Sequence, residues 1–303
     1  MKDAGEEILH EKEIVTQGGR FSLVLSSRDL GTAYPGMILY TLRVLSGDAV
    51  IARFRTNTFE YPPSSAITAH DAAIAKADEW EHDLVSGHPE FLEPRDIPVA
   101  GGHPGPAPDV LILQGSPRAQ GNCSILAAWA QDQATRDGFS AEVVYLDDLI
   151  IRGCIGCYQC YNTGTCTFED DMTVLIGLVR GAHLMVVCTP VYTNTVPGML
   201  KIFLDRCQAY HAEQVITGAV AQGRRGLLFA VAGRKGEENF ACVTSVVHAF
   251  MRHLRIHPSG TVLFDDLDRT RDIRQVPGAE DRIRNAVKAA LRTGKERDAL
   301  LRA

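Results

Sequence analysis

Residues 110–134 read VLILQGSPRAQGNCSILAAWAQDQA. Four apolar residues, Val110 to Leu113, run into a loop with glycine at 115 and 121, and a stretch of helical composition follows from about Asn122. A short, wholly apolar strand has no polar face to offer water, so it belongs in a parallel sheet covered on both sides. Comparable strands are expected at 142–146, 183–189, 226–232 and 260–264, with helices near 122–137, 171–181, 198–212, 238–254 and 279–302. Five βα units in succession predict an α/β fold, a doubly wound five-stranded parallel sheet over residues 109–303.

Outward from that core, the stretch 92–108, LEPRDIPVAGGHPGPAP, holds five prolines and three glycines without a hydrophobic period and is expected to be a linker. Before it, runs at 12–16, 20–27, 37–46 and 49–58 are separated by turn residues at Gln17-Gly18-Gly19, Tyr34-Pro35-Gly36 and Ser46-Gly47-Asp48. They predict an antiparallel meander. Ser65 is expected to cap a helix to about Val85 with Ile67, Ile74, Ala77 and Leu84 on one stripe. Residues 1–91 therefore form a small α+β domain, on which Arg43, Arg53 and Arg55 read as a solvated sheet face.

The 303 residues carry 31 Lys and Arg against 37 Asp and Glu, a formal net charge of -6, which gives no overall basic field for nucleic acid. The opening MKDAGEEILHEKE resembles neither a secretory signal nor a transit peptide, and the most apolar stretch, 174–191, is broken by Arg180, His183 and Pro190. A cytoplasmic chain without a membrane span is expected.

In the loop after the first parallel strand, Ser116, Asn122 and Ser124 place short polar groups beside a helix start, and Arg118 adds a cation. Backbone N–H groups and the positive end of the helix dipole favour a phosphate there. The loop matches neither G-x-x-x-x-G-K-[ST] nor G-x-G-x-x-G, so a mononucleotide such as FMN fits it better than a nucleoside triphosphate or a dinucleotide. An ordinary βα turn with a polar cap is the other reading. Ligands of α/β sheets lie outside the carboxyl ends of the strands, which draws in the exits TPVYTNTVPGMLKIFLDR and AGRKGEENF. There Tyr192 offers a flat ring and Gly233 a close backbone approach.

Cys154, Cys157, Cys160 and Cys166 form C-x2-C-x2-C-x5-C, and Gly164 within the last gap lets the fourth thiol turn back toward the others. Four thiolates on one compact loop suit a 4Fe-4S cluster. Thiols without metal, able to form a reversible disulfide, and a structural zinc site are alternatives. Cys188, Cys207 and Cys242 read as packing residues. Glu169, Asp170 and Asp171 are expected to cap the following helix.

With GSPRAQGNCS, CIGCYQCYNTGTC followed by EDDM, and TPVYTNTVPGMLKIFLDR in this order, residues from about 110 onward resemble the NAD(P)H-dependent FMN reductase and iron-sulfur flavoprotein group. The resemblance implies a flavodoxin-like sheet, with the FMN phosphate held by Ser116, Arg118, Asn122, Cys123 and Ser124. It implies ring contacts from Pro190, Val191, Tyr192, Thr193 and Asn194, with Gly233 closing a third loop. Cys123 stands where the group often has Thr. NAD(P)H as co-substrate, an electron acceptor that is a quinone, flavin, small molecule or redox protein, and a homodimer or homotetramer are implied as well. An electron carrier that makes no direct use of NAD(P)H and a non-catalytic metal-sensing or interaction protein are the competing readings. The resemblance does not extend to the first ninety residues.

Overall fold

The computed structural model describes residues 5–16, 19–32, 34–87, 106–219 and 223–301, with side chains to Arg292. In chain order the elements are β1 (Glu6–Thr16), β2 (Gly19–Asp29), β3 (Ile38–Ser46), β4 (Ala49–Asn57), α1 (Ala69–Ser86), β5 (Val110–Gln114), α2 (Asn122–Arg136), β6 (Ala141–Tyr145), α3 (Cys160–Thr163) and α4 (Met172–Gly181). They continue with β7 (Leu184–Pro190), α5 (Gly198–Arg206), α6 (Gln208–Thr217), β8 (Arg225–Val231), α7 (Ala241–His253), β9 (His257–Phe264), α8 (Leu267–Thr270) and α9 (Ala279–Leu301). Two compact units result. One joins the N-terminal residues to Ile155–Thr167 and Ala212–Ala219, and the other takes the described residues from 106 to Cys154, Phe168–His211 and those from 223 onward.

In the N-terminal unit, β1 to β4 pair antiparallel in sequence order. Alternation puts Ile14, Leu23, Leu25, Leu42, Val44 and Ala52 on one face, where Ala73, Ala77, Trp80 and Leu84 of α1 cover them. The helix starts later than expected. Thr68, not Ser65, is the cap: its hydroxyl accepts the Asp71 N–H at 3.1 Å while the Asp71 carboxylate accepts the Thr68 N–H at 2.9 Å. Ile67 lies before that cap and is 51% exposed, so it contributes nothing to the stripe. β1 begins at Glu6 because its exposed first half is held by backbone pairing with β2, which leaves no hydrophobic period to read. Of the three arginines expected on a solvated face only Arg53 is exposed; Arg43 is paired with Glu6, and Arg55 is half-buried with a guanidinium bond to the Asn162 carbonyl. A second apolar cluster of Leu30, Met37, Leu39, Tyr161 and Ala212 fixes the Ile155–Thr167 segment in this unit.

In the second unit the parallel order is β6-β5-β7-β8-β9. This is the flavodoxin-like order 2-1-3-4-5, whose switch point falls between β5 and β7. All five residues of β5 and all seven of β7 except Pro190 are buried, as a sheet covered on both faces requires. The helix expected over 198–212 is two, because the chain tightens at Cys207, where ψ is -6° and the N–H bonds back to Phe203 and Asp205 carbonyls. Cys188 and Cys207 are buried packing residues, whereas Cys242 is exposed. The expected linker, apart from 106–108, and the turn at Gln17-Gly18 lie outside the described residues. No helix among the described residues is long and apolar enough to cross a membrane.

Candidate active site at the ends of the parallel strands

The loop after β5 folds back onto Gln114, a buried amide at the end of that strand. Gln114 Nε2 donates to Ser124 Oγ at 3.0 Å and to the Arg118 carbonyl at 3.3 Å, while its Oε1 accepts the Ser116 N–H at 2.9 Å. Ser116 Oγ accepts the Arg118 N–H at 3.2 Å. Gly115 is required by closeness to α5: a Cβ there would fall 2.8 Å from Leu200 Cδ2. Gly121 caps α2 without any side-chain bond, so the N–H groups of its first turn point out of the loop with no side chain to satisfy them.

Two of the expected donors are turned elsewhere. Ser124 belongs to the Gln114 network, and Asn122 donates to the Arg271 carbonyl at 3.2 Å and accepts the Ile273 N–H at 3.0 Å. Those bonds bring Arg271, Asp272 and Arg274 to the loop. Reading the exit of the last strand as well as the third and fourth would have drawn DDLDRTRDIR into the site, since every strand end of such a sheet faces the same crevice. The Cys123 side chain is buried in the core, and desolvation pushes its thiol up to about 12. Only its backbone N–H can serve an anion.

A cavity of about 230 Å³ is walled by Ser116, Arg118, Asn122, Cys123, Pro190, Tyr192, Arg271 and Arg274, with one carboxylate, Asp272, which pairs with Arg274 at 2.8 Å. A second, of about 330 Å³, is walled by Ser116, Tyr192, Pro197, Met199 and Ile202 and carries one carboxylate, Asp147. Ser116 and Tyr192 are common to both. With three guanidiniums against one carboxylate the first chamber is net cationic, and the second is mainly apolar.

The turn after β7 is tight. Tyr192 and Thr195 exchange backbone bonds at 2.8 and 3.0 Å, with Thr193 at φ 45° and Asn194 at φ 65°. A β-branched residue in the left-handed region is strained by about 1–3 kcal/mol, and such strain persists where the surroundings impose it. Asn194 Nδ2 donates to Cys242 Sγ at 3.5 Å, and the Val191 N–H donates to the Val231 carbonyl at 2.9 Å. Val191, Thr193, Asn194, Ser124 and Gly233 do not wall either cavity. A Cβ on Gly233 would collide with the Asp268 carboxylate, so this glycine serves loop packing.

The cysteine loop leaves the second unit through a clamp at its stems. Arg206 donates to both oxygens of Asp170, at 2.7 and 2.9 Å, and to the Arg152 carbonyl at 2.6 Å, with side chains only 1% and 6% exposed. Asp170 also accepts the N–H groups of Arg152 and Met172, at 3.0 and 3.2 Å, which is the capping expected of it. Burial acts against its charge, but the Arg206 hydrogen bonds and charge hold its carboxyl below the usual range. Within the N-terminal unit, Asn162 is buried, accepts from Asn57 Nδ2 at 2.8 Å, donates to Glu60, and gives its carbonyl to Arg55 at 3.2 Å. Tyr158 lies against Tyr34 and Phe59 with ring centres 5.9 and 5.1 Å apart. Cys154 is exposed and Cys157, Cys160 and Cys166 are half-buried. Among the described residues no three His, Cys, Asp or Glu side chains are gathered as a metal site.

The family model described as NADPH-dependent FMN reductase matches residues 108–266, just over half of the sequence. The chain belongs to this family. The match runs from the lead into β5 to just short of Arg271 and Arg274. An iron-sulfur flavoprotein of Methanocaldococcus jannaschii is 30% identical over 118 residues, covering 38% of this chain and 61% of that protein. One from Archaeoglobus fulgidus is 34% identical over 106 residues, 35% of this chain and 48% of that protein. One from Methanosarcina thermophila is 24% identical over 171 residues, 56% of this chain and 84% of that protein. The chain thus spans about half to three fifths of the first two relatives' length.

Proposed function

We propose that this FMN reductase family member binds FMN at the ends of β5 and β7, takes hydride from NAD(P)H and passes electrons to a second acceptor. The observation that carries the reading is the pair of chambers joined at Ser116 and Tyr192, one net cationic and one mainly apolar. A phosphorylated flavin has the same two-part chemistry. Arg118, Arg271 and Arg274 would neutralise the phosphate, Ser116 would donate to it, and the uncapped first turn of α2 would add backbone N–H groups, Cys123 among them. Pro197, Met199 and Ile202 would exclude water from the ring, with Tyr192 as its flat wall. The Thr193–Asn194 turn would hold Tyr192 in place. When bound, FMN supplies the hydride and electron-transfer chemistry, and the protein's part is orientation and exclusion of competing reactions.

The cysteine motif and the relatives named iron-sulfur flavoprotein support a 4Fe-4S cluster on Cys154, Cys157, Cys160 and Cys166 as a second redox group. Iron analysis of anaerobically purified protein giving about four irons per chain would support the cluster. A cytoplasmic homodimer or homotetramer, with residues 1–91 as an accessory domain and a quinone, flavin, small molecule or redox protein as acceptor, completes the proposal. Anaerobic mixing of FMN-saturated protein with NADPH and NADH tests it: loss of the visible flavin band is expected, and an unchanged band with both nucleotides would defeat the hydride step.

A further inference from the structure

One face of the N-terminal sheet carries a charge arrangement that the flavin chemistry does not use. Register places Arg43 directly opposite Arg53, Arg55 opposite Thr41, and Arg28 opposite Leu39. Five arginines, Arg20, Arg28, Arg43, Arg53 and Arg55, therefore share the face of β2, β3 and β4 turned away from α1, and Arg20 lies 3.8 Å from Glu13. Like charges directly across a ladder are unfavourable. The acids of the same face, Glu6, Glu11 and Glu13, lie on β1 at the far edge, and Glu6 is bound to Arg43. Arg28 spends one Nη on the last carbonyls of α6, bonding Ile216 at 3.0 Å, where the helix dipole meets its charge. Arg53 and Arg55 lie two residues apart on the edge strand β4, and Arg55 spends one Nη on the Asn162 carbonyl at 3.2 Å. Arg53 is exposed and has no ion-pair partner among the described residues, and the buried Nε of Arg55 and that of Arg28 have no hydrogen-bond acceptor among them. Burial, followed by the charges of Arg53, Arg28 and Arg43, lowers Arg55 to about 10, against a single opposing carboxylate, Glu6.

We propose that Arg53 and Arg55, backed by Arg43, form a binding site for a phosphate-bearing anion on the edge of the N-terminal sheet. A guanidinium presents a planar fork of donors that matches a phosphate in two bonds, and two forks at alternate positions of one strand point the same way. The competing explanation is an edge strand charged only to prevent sheet-to-sheet pairing, for which any charge would serve. This proposal is independent of the flavin reading.

Calorimetric titration at low ionic strength, using protein saturated with FMN, tests it with inorganic pyrophosphate and adenosine 2′-monophosphate as probes. An Arg118→Ala background tells uptake by the loop after β5 apart from uptake by the sheet. Saturable binding near one site per chain is expected, weakened about ten-fold or more by Arg53→Ala and abolished by Arg53→Glu, while flavin affinity stays unchanged. Tighter binding of the nucleotide would assign the anion to a nucleotide phosphate, and tighter pyrophosphate to a free one. Thermal unfolding without anion should show Arg53→Ala as stable as the parent or more so, because a like charge is removed. No saturable binding of either probe, or binding that Arg53→Glu leaves intact, would overturn the proposal.

Discussion

Asp170 and Arg206 form a buried ion pair supplemented by backbone: two N–H groups bond the carboxylate and one carbonyl accepts from the guanidinium. Removing one partner leaves the other charged and dry. Asp170→Asn is accordingly expected to lower the unfolding free energy by about 3–5 kcal/mol, read from urea denaturation at neutral pH. The pH dependence has a definite sign. Asp170 has a folded pKa below its ordinary value, so its stabilisation is fully present above the usual carboxylate range and is lost as pH falls through the folded value. The Asn variant should lack that part of the acid unfolding limb.

At the scale of elements, the N-terminal sheet grips the cysteine-bearing segment through Asn57, Glu60 and Asn162. Asn162→Ala would leave the Asn57 amide and the Glu60 carboxylate each one hydrogen bond short, at about 1–3 kcal/mol, and loosen the segment. Faster alkylation of Cys157 and Cys166 at unchanged FMN affinity is the expected result; equal rates would show that the grip does not restrain the thiols. Elsewhere, α6 and α7 meet through His211 and His253, whose rings stack at 3.7 Å while His211 Nδ1–H donates to the His253 carbonyl at 3.1 Å. Burial, then the neighbouring His253, lowers His211 to about 4. Between that value and the ordinary one near 6.5 the unfolded chain holds a proton the fold does not. Stability should therefore rise with pH across this window, by up to about 1.4 kcal/mol per pH unit, and His211→Phe should flatten the slope in a series of denaturation curves.

Across the whole molecule, the parallel sheet was legible because strands such as LMVVC bury both faces and leave an unbroken apolar run in the sequence. The first half of β1 was not, since an exposed edge strand is held by backbone pairing that no side-chain pattern records. Ser116, Arg118 and Tyr192 could be read from a loop of known geometry, and they do wall the cavities. Arg271 and Arg274 reach the same place through two bonds of Asn122 to backbone about 150 residues away, a contact without local signature. The strain at Thr193 is likewise invisible in composition, because it arises from backbone imposed by the Tyr192–Thr195 pairing. Four cysteines in thirteen residues announced redox chemistry by spacing, yet spacing does not say whether the thiols converge. The central claim concerns the two joined chambers, and it is tested by titrating the protein with FMN and with riboflavin while following flavin fluorescence. FMN is expected to bind about a hundred-fold tighter than riboflavin, with Arg271→Ala erasing most of that margin and leaving riboflavin affinity unchanged. Equal affinity for the two flavins, or binding of neither, would contradict the account.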